Sequence, residues 1–251
     1  EHLRNYVLCL NEKFILDLLS DKIYTRYWMG NYVPVLPSLL EDSHHLSFAE
    51  LDKKLGASEA YVLQQNRSSG GFGTFYAAKK EQTLNTLREM HNELLIISPY
   101  VKNGLSVNIN AIVCNNQIYL FPISLQIIEN SNNRLIYHGA DYIAARNISS
   151  EIQVKIKKYS NIILEHVQSL GYRGIIGIDF IVKDDNVYFQ EINPRYQASS
   201  FLIDASLIKK GYPGLSEMNL SSFYEESDLS MDAQDITVEY SFYKYLYTSG
   251  A

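Results

Sequence analysis

Cysteine is scarce. The 251 residues hold two, Cys9 and Cys114. Two lone thiols give no metal-ligand spacing and no disulfide framework. Both sit among apolar neighbours, as buried thiols do, and a reducing, cytoplasmic setting is the expectation. Apolar runs near the roughly 18 residues of a membrane span are missing as well. The opening EHLRNYVLCLNEKF lacks the basic-then-apolar order of a secretion signal. Basic charge is in the minority, 22 Lys and Arg against 28 Asp and Glu, for a net charge of -6. That balance argues against non-specific nucleic-acid binding and against attraction to an acidic membrane as the main activity. Neither an internal repeat nor a low-complexity segment is seen.

What remains is a globule. Hydrophobic residues make up 46% and charged residues 20%, enough for a sizeable core in one large domain or two small ones. Residues 11–29 read as a helix with Phe14, Leu18 and Leu19 on one stripe, and Val33-Pro34-Val35 as a short strand. Ser47 and Glu50 form a capping-box pattern for a helix ending at Gly56. YVLQQ and TFYAA read as strands on either side of NRSSGGFG. A helix over 81–92 leads into the strand LLIIS, and LSVNINAIV returns through an Asn115-Asn116 turn into Ile118–Leu125. Residues 126–150, rich in Asn, are expected to form a surface loop. Glu151–Leu170 is an amphipathic helix, 175–193 a hairpin, and 198–210 a further helix. Strand pairs at hairpin spacing, separated by helices, predict an α+β fold with antiparallel sheets.

Two stretches carry chemistry. In NRSSGGFGTF, glycines let backbone N–H groups approach an anion, and Ser68, Ser69 and Thr74 add hydroxyl donors. No Gly-Lys-Ser/Thr follows, so this is not a P-loop. A mobile tip of small residues is the plain alternative. In the hairpin GIDFIVKDDNVYFQEINPR, a tip centred on Asp185 with an odd loop sets Asp179 opposite Glu191. Asp179, Glu191 and Asn193 then share a face; an even loop puts Asp179 on the other side. Two carboxylates that close suit Mg²⁺, which takes its remaining ligands from water and phosphate. Arg195, just beyond, is placed to hold a phosphoryl oxygen. A solvated sheet face is the plain alternative here.

Taken in order, SSGGFG, IISPYVKNG and GIDFIVKDDNVYFQEINPR resemble the ATP-grasp superfamily over roughly 12–200. The resemblance implies two α+β subdomains with antiparallel sheets clasping ATP: residues 31–98 as the flap subdomain and 99–251 as the catalytic one. Residues 1–30 are then a helical remnant or linker of an N-terminal α/β domain that is missing or truncated. It implies ATP-dependent joining of a small-molecule carboxylate to an amine through an acyl-phosphate, with Mg²⁺ (or Mn²⁺) on Asp179, Glu191 and Asn193. Arg195 matches the catalytic arginine that steadies the transferred phosphate. Lys22 resembles the lysine that reaches the nucleotide phosphates. Arg67, Ser68, Ser69, Gly70, Gly71, Gly73 and Thr74 fall in the flap, and Ser98, Pro99 and Val101 in the hinge that reads adenine through its backbone. Gln197 and Ser199 are substrate candidates, because they follow the phosphate site. No nucleic-acid or membrane partner is implied, and oligomeric state is open, a homodimer included.

The sequence departs from that pattern upstream. Gln64 stands where the family often has a lysine, and brings no charge. Ser98 and Ser106 stand where it often has glutamates, leaving Asn108 and Asn110 as candidates near the ribose. Arg67 is a candidate to replace the lost charge. Three rivals follow: a nucleotide-binding module without chemistry, a bicarbonate-phosphorylating enzyme, and a Ca²⁺-binding β protein.

Overall fold

The computed structural model describes residues 10–42, 47–68, 73–78, 94–224 and 236–244. The expected helix over 81–92 lies outside the described residues, as do Cys9, Ser69, Gly70 and Gly71.

Ten strands form one sheet in the order β1-β4-β2-β3-β7-β6-β5-β8-β9, with β10 also pairing β7. They are β1 Leu39–Asp42, β2 Ala60–Gln65, β3 Thr74–Ala78, β4 Leu94–Pro99, β5 Leu105–Val113, β6 Ile118–Ser131, β7 Arg134–Asp141, β8 Gly174–Lys183, β9 Asn186–Asn193 and β10 Ser241–Tyr243. All these pairs are antiparallel. The four-strand array of β1–β4 and the array from β5 to β9 are continuous rather than separate sheets. Their seam is narrow: one registered pair, Phe75 with Arg134, plus a bond from Tyr76 N to Asn133 O.

The helices are α1 Lys13–Leu19, α2 Lys22–Met29, α3 Phe48–Leu55, α4 Ser150–Ser169, α5 Ser200–Lys209 and α6 Leu215–Ser221. Ser47 caps α3 as its sequence predicts, accepting from Glu50 N. The 11–29 helix, by contrast, is two. Asp21 interrupts it, taking extended dihedrals and accepting from Tyr24 N to cap α2. The buried stripe of α1 is Ile15 and Leu19, while Phe14 is 71% exposed.

Residues 126–150 are not a loop. β6 runs on to Ser131 and turns at Asn132-Asn133, both with positive φ (50° and 61°), into β7. Asn tolerates that conformation, and a two-residue hairpin turn of type I′ requires it at both central positions. Val33-Pro34-Val35 does not become a strand. It lays one parallel bridge, Val35 to Phe189, along β9.

The main core lies between one face of β5, β8 and β9 and helix α4. Val107, Ile109, Ile176, Ile178 and Phe180 meet Ile152, Ile156, Ile163, Leu164 and Val167 there. Strand alternation sends the intervening residues to the other face. That face carries Asn108, Asp179, Glu191 and Asn193.

Candidate active site

Asp179 does stand opposite Glu191, but not through an odd loop. Lys183 pairs with Asn186, so the hairpin tip is the two residues Asp184-Asp185. The parity comes from a β-bulge instead. Phe180 pairs with Phe189 and Asp179 with Glu191, so Gln190 is left without a partner across the ladder. The extra residue turns Glu191 and Asn193 onto the face of Asp179.

There the polar groups converge. Asn193 Nδ2 donates to Asp179 Oδ2 at 3.0 Å and Glu191 Oε1 at 3.3 Å. Asp179 Oδ1 accepts from Asn108 Nδ2 and, at 3.1 Å, from Gln126 Nε2. Burial first, then the neighbouring Glu191 charge, pushes the Asp179 carboxyl up to about 7. On the far side of Glu191, Lys22 Nζ pairs with Oε2 at 3.0 Å. Lys22 also donates to Ser68 O and Oγ at 3.0 and 3.1 Å, tying the start of the glycine loop to the carboxylates. Asp21 sets the position of Lys22 by capping α2, and Asn66 holds both Asp21 Oδ2 and Ile23 N.

Arg26, one turn after Lys22 on α2, joins this network although no motif in the sequence singles it out. Its Nη2 donates to Gln64 Oε1 at 2.8 Å and to Gln190 O and Oε1 at 3.3 Å. Burial lowers its pKa to about 10, with the Glu191 charge opposing, so it stays charged at neutral pH. The i, i+4 spacing from Lys22 is the signal that places both cations on one helix face.

A cleft of about 560 Å³ opens between the two arrays of the sheet. Its lining includes Lys22, Gln64, Ser68, Thr74, Ser98, Pro99 and Val101, together with Asp179, Glu191, Asn193, Arg195, Gln197 and Ser199. Of the flap candidates, Gly73 packs against Ser68 and Gln65, where an added Cβ would lie 2.4 Å from Ser68 Cβ. Arg67 is exposed and is absent from the cleft lining; its charge is felt by Asp17. It is therefore Arg26, not Arg67, that brings positive charge to Gln64. In the hinge, Tyr100 N donates to Ala60 O. This makes Pro99–Tyr61 a non-bonded pair of the ladder, which suits a residue without N–H and turns the Pro99 carbonyl away from β2. Of the ribose candidates, Asn108 lines the cleft, whereas Asn110 is fully buried and bonded to Asn108 and Ser200.

At the other end, Arg195 Nη2 donates to Asn193 Oδ1 at 3.1 Å. Gln197 Oε1 accepts from Asn108 Nδ2 at 3.0 Å and rests on Gly177, where an added Cβ would lie 1.8 Å from it. Gly177→Ala therefore displaces Gln197 and disturbs the Asn108–Asp179 contact. Under the activity proposed below, the expected result is a loss of roughly tenfold or more, of the size seen when one oriented hydrogen bond is lost. His138 is a buried residue of β7, stacked on Tyr243, with Nδ1 3.2 Å from Lys244 O.

The donor set fits a divalent cation. Oxygens of two carboxylates converge on one place, bridged here by the Asn193 N–H donor. Among the described residues no group of three or more His, Cys, Asp or Glu side chains forms a metal cage. Two carboxylates with one amide suit an ion that draws its other ligands from water and phosphate.

A family model of the ATP-grasp domain matches residues 19–199. The chain belongs to the ATP-grasp family. Over 195 residues this ATP-grasp chain is 25% identical to the D-alanine–D-alanine ligase of Fervidobacterium nodosum, covering 72% of this chain and 58% of that one. Over 168 residues it is 25% identical to the arginine-specific large chain of carbamoyl phosphate synthase from Geobacillus stearothermophilus, covering 65% of this chain and 15% of that one. N5-carboxyaminoimidazole synthetase from Staphylococcus aureus, solved with ADP, shares the fold, with a TM-score of 0.66 at 18% identity over 84% of this chain and 53% of that one. The ATP-grasp chain thus spans little more than half the length of the ligase and the synthetase. Among its described residues no helix is long and apolar enough to cross a membrane.

Proposed function

We propose that this chain is the ATP-binding and catalytic part of a ligase that joins a small-molecule carboxylate to an amine through an acyl-phosphate. The carrying observation is that Lys22, Ser68, Asp179, Glu191, Asn193 and Arg195 all line one cleft between the two arrays. Family membership and relatives named as ligases and synthetases support the reading. Residues 31–98 act as the flap subdomain and 99–251 as the catalytic one. ATP lies across the narrow seam, with adenine against Ser98–Val101 and its phosphates beside Lys22 and the carboxylate pair.

Asp179, Glu191 and Asn193 would hold Mg²⁺, which when bound would supply positive charge to offset that of the nucleotide phosphates. The rest is the work of the side chains. Lys22 supplies a fixed positive charge to the phosphates and keeps the flap start at Ser68 beside them. Asn193 now turns its Nδ2 to the carboxylates and its Oδ1 to Arg195, so it would present an oxygen to the cation once Arg195, which has donors and no acceptor, releases Oδ1 and the amide turns over. Arg195 is then free to take the phosphoryl group bidentately. The substrate carboxylate attacks the γ-phosphorus, ADP leaves, and Arg195 holds the acyl-phosphate until the amine displaces phosphate. Gln197 and Ser199, beyond Arg195, face the acyl end.

The test is phosphate release from Mg·ATP against panels of amino acids, small carboxylates and bicarbonate, with hydroxylamine present to capture an acyl-phosphate as a hydroxamate. Release that depends on a carboxylic acid, with hydroxamate formed, is the expected result. ATP binding without any turnover would favour a module without chemistry. Release that depends on bicarbonate alone would assign the chain to the bicarbonate-phosphorylating class.

A further inference from the structure

The Arg26 guanidinium has fewer partners than its burial calls for. It is 4% exposed, and its Nε and Nη1 have no hydrogen-bond partner among the described residues. A guanidinium brings five N–H donors and no acceptor, and an under-satisfied buried charge is costly. The carboxylate whose charge reaches it, Glu191, is already paired with Lys22.

What Arg26 does hold is informative. Because it can only donate, the Gln64 atom 2.8 Å from Nη2 is the oxygen. That leaves Nε2, with two N–H groups, to the cleft that Gln64 lines. A freely turning amide would offer an oxygen to the phosphates in one of its two orientations; a pinned one offers donors only. The same Nη2 holds the carbonyl and side chain of Gln190, the bulged residue that turns Glu191 toward Asp179.

We propose that Arg26 is a positioning residue for the nucleotide phosphates. It locks Gln64 with its N–H groups toward a phosphoryl oxygen, and it clamps the Gln190 bulge that sets Glu191 in register with Asp179. This inference rests on the ATP-binding reading above.

Calorimetry on the full chain, with Mg·ATP and with adenosine as separate titrants, tests it. Arg26→Met weakens ATP roughly ten- to a hundredfold, the worth of a charge-assisted hydrogen bond, and leaves adenosine within about twofold, since no phosphate contact is involved. Gln64→Ala costs a similar factor, and the double variant is no worse than the more affected single, because the two residues act as one unit. Gln64→Glu turns the pinned group into a carboxylate and weakens ATP more than Gln64→Ala does. Where Arg26→Met does not fold, Arg26→Lys decides. An ammonium cannot span Gln64 and Gln190 as the fork does, so ATP affinity falls at least about fivefold while adenosine binding holds.

Wild-type ATP affinity in a folded Arg26→Met or Arg26→Lys variant overturns the inference. So do equal losses for ATP and adenosine, or additive losses in the double variant. A wild-type chain that binds no ATP overturns the nucleotide reading itself. Wild-type binding matched by the Arg26 variants overturns this inference alone.

Discussion

A double variant, Asp179→Ala with Glu191→Ala, releases no more phosphate from ATP than a protein-free control. The two carboxylates stand opposite each other on β8 and β9, and Asn193 already bridges them with a single nitrogen. Like charges set directly across a ladder repel. Burial and Glu191 together push the Asp179 carboxyl up to about 7, so the apo site resists full ionisation. A divalent cation set between the two carboxylates would relieve that penalty. The variant keeps Lys22 and Arg195 yet has lost both carboxylate ligands, and phosphoryl transfer depends almost wholly on charge stabilisation and positioning. Thermal melting gives the companion readout: Mg·ATP raises the melting temperature of the wild type and leaves that of the double variant unmoved. Turnover retained in the double variant would contradict the metal assignment.

Lys22→Met is the second large effect, and it is double-edged. Lys22 is 7% exposed and ties three points together: Glu191, the Ser68 carbonyl and the Ser68 hydroxyl. Removing one partner of a buried ion pair costs about 3–5 kcal/mol, because the other charge is left uncompensated. In apo protein this appears as a lower melting temperature. On the nucleotide side, the variant loses both a phosphate charge and the anchor of the flap, and ATP affinity falls by roughly a hundredfold. Mg²⁺ offsets part of the stability loss, because it gives Glu191 a cation again. A Lys22→Met variant with wild-type melting temperature and wild-type ATP affinity would show that Lys22 belongs to neither network.

The carboxylate pair was legible in the sequence, though through the wrong device. An odd hairpin loop gives the same pairing as an even loop plus one bulge. The bulge itself leaves a mark: Val187 and Phe189 are buried at odd positions and Ile192 at an even one, a break in the two-residue period that only an extra residue explains. The end of β6 carried no such mark. Most of its last residues are exposed on both faces, so alternation disappears, and Asn132-Asn133 looks like loop composition rather than a turn. Strand β1 is hidden for the same reason, four partly exposed residues with no period.

The helix over 11–29 shows a different failure. Hydrophobic spacing carries straight through Ser20-Asp21, while the cap geometry that Asp21 adopts breaks the helix in two. The break matters to function, since it starts α2 at Lys22 and puts Arg26 one turn further along, behind Gln64. Gln64 itself was visible as a missing charge. Its compensation was not, because Arg26 lies in a helix 38 residues away in sequence and nothing in the motif around Gln64 refers to it.

The central claim is that the cleft between the two arrays of the sheet binds ATP together with Mg²⁺. Calorimetric titration of ATP into the chain, once with Mg²⁺ and once in excess chelator, tests it most directly. The account predicts one site per chain, with affinity at least about tenfold higher when Mg²⁺ is present. Equal affinity with and without the ion, or no binding at millimolar ATP, would contradict it.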